Sequence, residues 1–393
     1  MTDKERILIV VSRFPFPLEK GDKLRAYYQI KELAKYYRIT LFSLNDKKIT
    51  SDQLIELDTF CDKVITHRLS RLSIFWNILL AFLSKKPLQV GYFFSGSAKQ
   101  KIKQEIQNNS YKHIYCQLVR CAELVKHIHE IPKTIDYMDV LSIGVQRRIE
   151  SQNIFLKWVF KREYRTLQKY ERDIFDYFEN RTIISEQDQS LISHQDRKDI
   201  LVIPNGIDNS FIEHDLNVEQ DHDLVFVGNM SYPPNIEAVK YIAEHILPYN
   251  KGLKLLVSGS SPHSTIKKLS ESNNQITLTG WVDDIRTSYL RGKIFLAPMT
   301  IGTGMQNKLL EAMALGIPCI TTPLANNAIK AQHNSEIIES NSPEEFNSEI
   351  KRLLSDEELR KTIGQNGSDF VRDNYSWKKT TSLLRERIEK GFK

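Results

Sequence analysis

The chain has 393 residues, enough for two domains of ordinary size with a core in each. Its 41% hydrophobic and 26% charged content is that of a soluble globular protein. The formal net charge of +6 is mild: it suits an anionic membrane surface or phosphorylated substrates and does not call for nucleic acid. No apolar segment is long enough to cross a bilayer.

The four cysteines, Cys61, Cys116, Cys121 and Cys319, form no CxxC pair and no disulfide framework, which fits a reducing cytoplasm. The chain opens MTDKER and runs directly into an apolar strand, so no signal peptide is expected.

In chain order, Arg6–Ser12, Arg38–Leu44, Val64–Leu69, His113–Gln117, Thr134–Met138, Arg181–Ser185 and Leu201–Pro204 read as strands. Helical periodicity separates most of them, as in Asp22–Tyr36 and Ala98–Gln107, and such alternation predicts a parallel sheet covered on both faces. Gly21 and Asp22 form either an acceptor- or phosphate-facing loop or simply a turn and a helix cap. Arg25, one turn on, favours a role with an anion. Leu72–Leu83, LSIFWNILLAFL, is followed by Lys85 and Lys86 and could lie on a headgroup layer. The preferred expectation is a buried helix of the first domain, because runs this short more often lie in a core. Asp136 and Asp139 end a strand, where catalytic groups collect in such sheets. Each also has a structural alternative, Asp139 as a helix cap and Asp136 as the partner of an arginine. Ser142–Phe178 exceeds ordinary helix length and is expected as two helices. Ser185–Asp188 reads as a helix cap, and His127 and His129 diverge and hold no metal.

The run Ile203-Pro-Asn-Gly-Ile-Asp208 signals a turn, and the polar residues after it have no period. Domain limits are therefore expected at 1–207, with a linker at 208–221, a second domain at 222–376 and a helix at 377–393 packing back on the first domain. The second half restarts with strands at Leu224–Gly228, Lys254–Ser258, Gln275–Thr279, Lys293–Met299, Ile317–Thr322 and Glu336–Glu339, with helices between them. Its most informative stretch is KIFLAPMTIGTGMQNKLLEAMALGIPCITT, which reads strand, glycine loop, helix, glycine, strand. Leu309, Leu310 and Met313 fall on one face of that helix, and Gly304, Lys308 and Glu311 on the other. Glycines at a helix start let backbone N–H groups approach an anion, Lys308 adds charge, and Glu311 offers a carboxylate to sugar hydroxyls. The alternative is a crossover helix with a solvated Lys/Glu pair. Asp283-Asp284 is better read as helix-start chemistry than as a metal motif, and no metal or cofactor is expected.

Together these pieces resemble the retaining glycosyltransferases of family 4. The likeness rests on Pro15-Phe-Pro17, Gly21-Asp22 and Arg25, IDYMDVLS, Ser185-Glu-Gln-Asp188, IPNGID, VFVGNMSYPPN, Gly280-Trp-Val-Asp-Asp284 and GTGMQNKLLEAMALGIPCITT. It implies an α/β fold of two Rossmann-like doubly wound domains facing a cleft, the glycosyltransferase-B (GT-B) fold. It also implies that the second domain binds a nucleoside-diphosphate sugar and the first an acceptor. Carried over residue by residue, Glu311 would hold the ribose. Gly304, Met305 and Gln306, with Thr303 and Asn307 beside them, would hold the diphosphate and sugar. Trp281 and Val282 would meet the base, and Gly228 and Asn229 would face the phosphates. Gly21, Asp22 and Arg25 would lie on the acceptor side.

Three departures stand out. Thr303 occupies the position of the family's first glutamate. Asn229 and Asn235 stand where an arginine and a lysine are common, which leaves Lys308 as the cation for the leaving diphosphate. IDYMDV lacks the usual histidine and offers Asp136 and Asp139 instead. The expected function is transfer of a sugar to a glycan or lipid-linked hydroxyl, without metal, by a cytoplasmic protein with peripheral contact to the membrane. The alternatives are a non-catalytic nucleotide-sugar-binding subunit and a sugar-nucleotide epimerase.

Overall fold

The computed structural model describes residues 4–18, 20–149, 152–301 and 305–392. The chain divides into two compact units, Met1–Pro204 with Thr380–Lys393, and Asn205–Lys379.

The first unit is built on a seven-stranded sheet: β1 (Arg6–Val11), β2 (Arg38–Asn45), β3 (Lys63–Arg68), β4 (His113–Gln117), β5 (Lys133–Asp136), β6 (Asn180–Ile183) and β7 (Leu201–Val202). The order is β3-β2-β1-β4-β5-β6-β7 and every pair is parallel. β1 shows why its sequence is apolar throughout. Leu8 and Val10 enter the core on one face with Ile114. Ile7, Ile9 and Val11 enter the core on the other, beneath the helix Gly21–Leu33. A strand covered on both sides has no solvent face to mark with polar residues. The terminal helix Trp377–Glu389 contributes Leu384 and Ile388 to that second core.

One expectation for the first unit changes and another holds. The helix Arg71–Leu83 forms, but it is not a core helix, and Ala81 is its one fully buried residue. Leu72, Phe75, Trp76, Leu79, Leu80 and Leu83 are exposed instead. They lie at positions i, i+3, i+4, i+7, i+8 and i+11, a single stripe of the helix turned outward. Ser142–Phe178 does split, into Leu141–Gln146 and the 20-residue Ile154–Asp173, closed by a 3-10 turn at Ile174–Tyr177.

The second unit carries β8 (His222–Val227), β9 (Leu255–Ser258), β10 (Ile276–Gly280), β11 (Gly292–Ala297), β12 (Cys319–Thr321) and β13 (Ile338–Glu339). Their order is β10-β9-β8-β11-β12-β13, again parallel. Residues 208–221 lie within this unit. There Asp208 caps the short helix Asn209–Ile212 by accepting from the Ser210 N–H at 2.8 Å. The 19-residue helix Glu357–Tyr375 has no counterpart among the expected elements. Within it Gly364 lies so close to Gly316 that an added Cβ would sit 2.0 Å from the Gly316 carbonyl oxygen. The glycine serves close helix-to-backbone packing.

Candidate functional site

Each sheet reverses its strand order at one place, between β1 and β4 in the first and between β8 and β11 in the second. The connections on either side of such a point diverge and leave a crevice at the carboxyl ends of the strands. In the second unit this crevice is a cavity of about 440 Å³. Gly228 and Asn229 reach it from the end of β8, Gly259 and Ser260 from β9, and Trp281 and Val282 from β10. Met305, Gln306, Asn307, Lys308 and Glu311 reach it from the loop and helix after β11. Residues scattered over some 80 positions are thus gathered by the topology. Thr303 and Gly304 lie outside the described residues.

The helix Asn307–Ala314 is held by Leu309, Leu310 and Met313, all sunk in the core. That burial fixes which way Lys308 and Glu311 point, and both line the cavity. The Lys308 ammonium donates to Asn235 Oδ1, lies 3.9 Å from Met299 Sδ, and sits 5.2 Å over the Phe226 ring. Burial pushes it down to about 8, with the charge of Glu311 opposing. Glu311 accepts from the Tyr289 hydroxyl at 2.7 Å. Burial pushes its carboxyl up to about 7, against the Tyr289 hydrogen bond and the Lys308 charge. Neither charge has the solvation it would have in water, so a ligand that supplies an anion to one and hydroxyls to the other is favoured. Asn307 Oδ1 is enclosed at the same place without a hydrogen-bond partner among the described residues.

The asparagines that replace basic residues have structural work. Asn229 Oδ1 accepts from the Ser231 N–H at 2.9 Å and the Ser231 hydroxyl at 2.8 Å, shaping the loop after β8. Asn235 donates to the Asn229 carbonyl at 2.8 Å while receiving Lys308. Lys308 is therefore anchored by the residue that stands in for a cation. Sequence reasoning missed Tyr289 and Gly259. Tyr289 carried no signal, being an aromatic in an amphipathic helix. Gly259 did carry one, as the first residue after an apolar strand. Its φ is +140°, and a Cβ would lie 1.8 Å from the Gly228 carbonyl oxygen, so only glycine fits.

In the first unit, the expected acceptor-side residues separate into two groups. Arg25 is fully enclosed and donates to Asp136 from Nε at 2.6 Å and from Nη2 at 3.3 Å. Asp136 also accepts from the Tyr115 hydroxyl, the Thr182 hydroxyl and the Met138 N–H, at 2.9, 3.0 and 3.2 Å. Both side chains have zero exposure. The arginine-partner alternative describes Asp136, and neither residue can touch an acceptor from there.

Asp22 and Asp139 lie nearer the surface. Asp22 sits in the first turn of Gly21–Leu33, whose cap is Lys20, and accepts from Arg13 Nη1 at 2.6 Å. Its carbonyl accepts from Gln117 Nε2 at 3.0 Å. Gly21 has no atom within 4 Å of a built Cβ, so neither packing nor conformation demands glycine there. Asp139 is exposed, and the helix after it is preceded by Val140, so it is not the cap. The surrounding protein raises its carboxyl to about 6; Asp188 adds to the rise and Arg120 opposes it. Contact with solvent softens that shift. Arg120 lies over the Phe93 ring at 5.5 Å, with Arg13 5.6 Å from the same ring. Leu118 and Met138, at the ends of β4 and β5, have φ of 69° and 61°. Strain of this kind in non-glycine residues gathers at functional edges.

Residues 221–356 match the family model described as Glycosyl transferases group 1. Every cavity-lining residue falls inside that match. A Klebsiella pneumoniae protein described as an uncharacterized 44.6 kDa protein in the cps region is 22% identical over 96% of this chain and 98% of its own length. The capsular polysaccharide biosynthesis glycosyltransferase CapM of Staphylococcus aureus is 29% identical, over 47% of this chain and 50% of CapM. Among solved structures, Anabaena HepE in complex with UDP and glucose superposes with a TM-score of 0.67 at 14% identity, over 98% of this chain and all of that one. The fold is the GT-B fold, and the part of the second unit that carries the cavity is similar to group 1 glycosyl transferases.

Proposed function

We propose that the protein is a retaining glycosyltransferase that moves a sugar from a nucleoside-diphosphate sugar to a hydroxyl of a glycan or lipid-linked acceptor. The observation that carries this is the placing of Lys308 and Glu311 in one cavity, one helical turn apart, each held by its own neutral partner. A solvated helix pair would instead face water and be worth a few tenths of a kcal/mol. Glu311 as a carboxylate would take ribose hydroxyls. Lys308 would meet the charge that grows on the diphosphate as the glycosidic bond breaks, a role for which preorganised cations are suited. Backbone N–H groups at the start of Asn307–Ala314 would add to it. With that charge supplied by the chain, the proposal needs no divalent ion. No protein nucleophile is invoked: the departing phosphate would take the acceptor's proton, with Asp139 and Asp22 orienting the hydroxyl. CapM's name and the UDP bound to HepE support a nucleotide-sugar donor.

Calorimetry and thermal shift with UDP, GDP, dTDP and CMP in EDTA test the reading. One diphosphate nucleotide should bind selectively, and Glu311→Ala should weaken it by at least tenfold, the loss of hydrogen bonds to a charged group. Failure of all four at millimolar concentration would remove the donor site. Binding with no transfer to any acceptor would favour a non-catalytic subunit.

A further inference from the structure

The helix Arg71–Leu83 is built the wrong way round for a soluble domain. Its apolar stripe faces outward, with Leu72 at 76%, Trp76 at 58% and Leu83 at 69% exposure. A second exposed set, Ile154, Leu156 and Trp158, begins the helix Ile154–Asp173. The two sets adjoin, because the Phe82 and Trp158 rings meet edge to face at 5.9 Å. Arg162 fastens them: its Nη2 donates to the Ala81, Phe82 and Lys86 carbonyls at 3.0, 2.8 and 3.3 Å, and its guanidinium lies 4.7 Å from the Phe82 ring. The patch is therefore a fixed surface, not a frayed end.

The exposed charges of these two segments are all basic. No aspartate or glutamate occurs at positions 69–104 or 152–162. Arg71, Lys85, Lys86 and Lys161 are exposed at its border. Lys86 is the partly neutralised one, 3.7 Å from Glu123. Leucine, phenylalanine and tryptophan on one face with lysine and arginine along its edge is the composition that enters a headgroup layer, and contiguous apolar surface of this kind is costly to leave in water. An anionic bilayer answers both the exposed apolar stripe and the exposed cations along its border.

We propose that this two-helix face is a docking surface for an anionic lipid bilayer. It seats the first unit on the membrane and so deepens the reading above, by selecting a membrane-borne acceptor over a free glycan. It does not depend on the donor site, and the two can fail separately.

The test is co-sedimentation of the full chain with vesicles of phosphatidylcholine alone and of phosphatidylcholine with 30% phosphatidylglycerol. Wild type should bind the anionic vesicles, with at least tenfold weaker binding to the neutral ones and weakening as salt rises. Trp76→Glu with Leu80→Glu should lower binding at least tenfold. Lys85→Gln with Lys86→Gln should lower it several-fold. All four positions are exposed, so melting temperature and nucleotide affinity should stay at wild-type values, which separates loss of docking from misfolding. Absence of vesicle binding in a wild-type protein that still binds nucleotide overturns the proposal and leaves the donor reading intact. A dimer in light scattering that Trp76→Glu with Leu80→Glu converts to monomer, without vesicle binding, also overturns it and assigns the face to a second copy.

Discussion

At the scale of single residues, the donor cavity holds two charges in the wrong solvent. Burial raises the folded-state pKa of Glu311 from 4.5 to about 7. The folded state thus holds the proton more tightly than the unfolded one between those values, and stability falls as pH rises through them. Lys308 is shifted the other way, from 10.5 to about 8. The unfolded state holds that proton more tightly, so stability is lost as pH falls from above 10.5 through 8. Glu311→Gln should therefore raise the unfolding free energy of the ligand-free protein at pH 8, by on the order of 1–3 kcal/mol, and flatten its decline between pH 5 and 7. Urea titrations at a series of pH values measure both; an unchanged pH profile would mean Glu311 is not the buried acid described.

Lys308 has a separate signature. Near pH 8.5 part of its population is neutral, and an incoming diphosphate favours the charged form. Nucleotide binding at that pH should take up protons, read from calorimetry in buffers of different ionisation enthalpy. Lys308→Gln should abolish the uptake and lower kcat by about 10²–10³, the cost of losing one preorganised group at a developing charge.

At the scale of elements, the ends of the first sheet separate structure from surface chemistry. The Arg25–Asp136 pair ties the helix Gly21–Leu33 to β5 inside the first unit. Asp136→Asn strands a buried guanidinium and should cost about 3–5 kcal/mol. Chemical denaturation should show that loss while nucleotide affinity, which belongs to the other unit, stays within twofold of wild type. A large drop in kcat with intact stability would instead restore Asp136 to the chemistry. The sequence could not settle this. Asp136 ends β5 and Asp139 follows it, and pleating alone does not say which neighbour, Tyr115 or solvent, each one meets. The helix Arg71–Leu83 carries the opposite lesson. The apolar run LSIFWNILLAFL was plain and its helix forms, but the expected burial in the core does not hold, because one apolar face turns outward. Which way that face turned depended on how Asn77 and Ala81 pack. Asn77 Nδ2 donates to the Phe94 carbonyl at 2.8 Å, and an added Cβ on Gly91 would lie 2.6 Å from Ala81 Cβ.

At the scale of the whole molecule, the two units repeat one plan, a parallel sheet with its reversal beside the first strand. A ligand that binds only one of them should mark that unit. At a hundredfold excess over Kd, the favoured nucleotide should add about 2.7 kcal/mol to the stability of the state that binds it. Hydrogen exchange should slow at Gly259, Ser260 and Asn307–Ala314, and change little in β1. Equal slowing throughout both sheets would mean the nucleotide acts on global unfolding and not at the cavity.

The thirteen strands and most of the intervening helices were legible in the sequence, because apolar runs and helical periods are local properties that burial then rewards. Lys308 and Glu311 were legible for the same reason, since a helix with a buried face must present its other face somewhere. Tertiary structure alone decided the rest. It brought Tyr289 and Gly259 to the cavity by strand order, and it consumed Arg25 and Asp136 in a pair 111 positions apart in sequence. It packed the glycines of Glu357–Tyr375 closely against neighbouring backbone, and it turned the stripe of Arg71–Leu83 outward. In each case the deciding partner lies outside the segment, and a pattern read along one segment carries no information about what faces it.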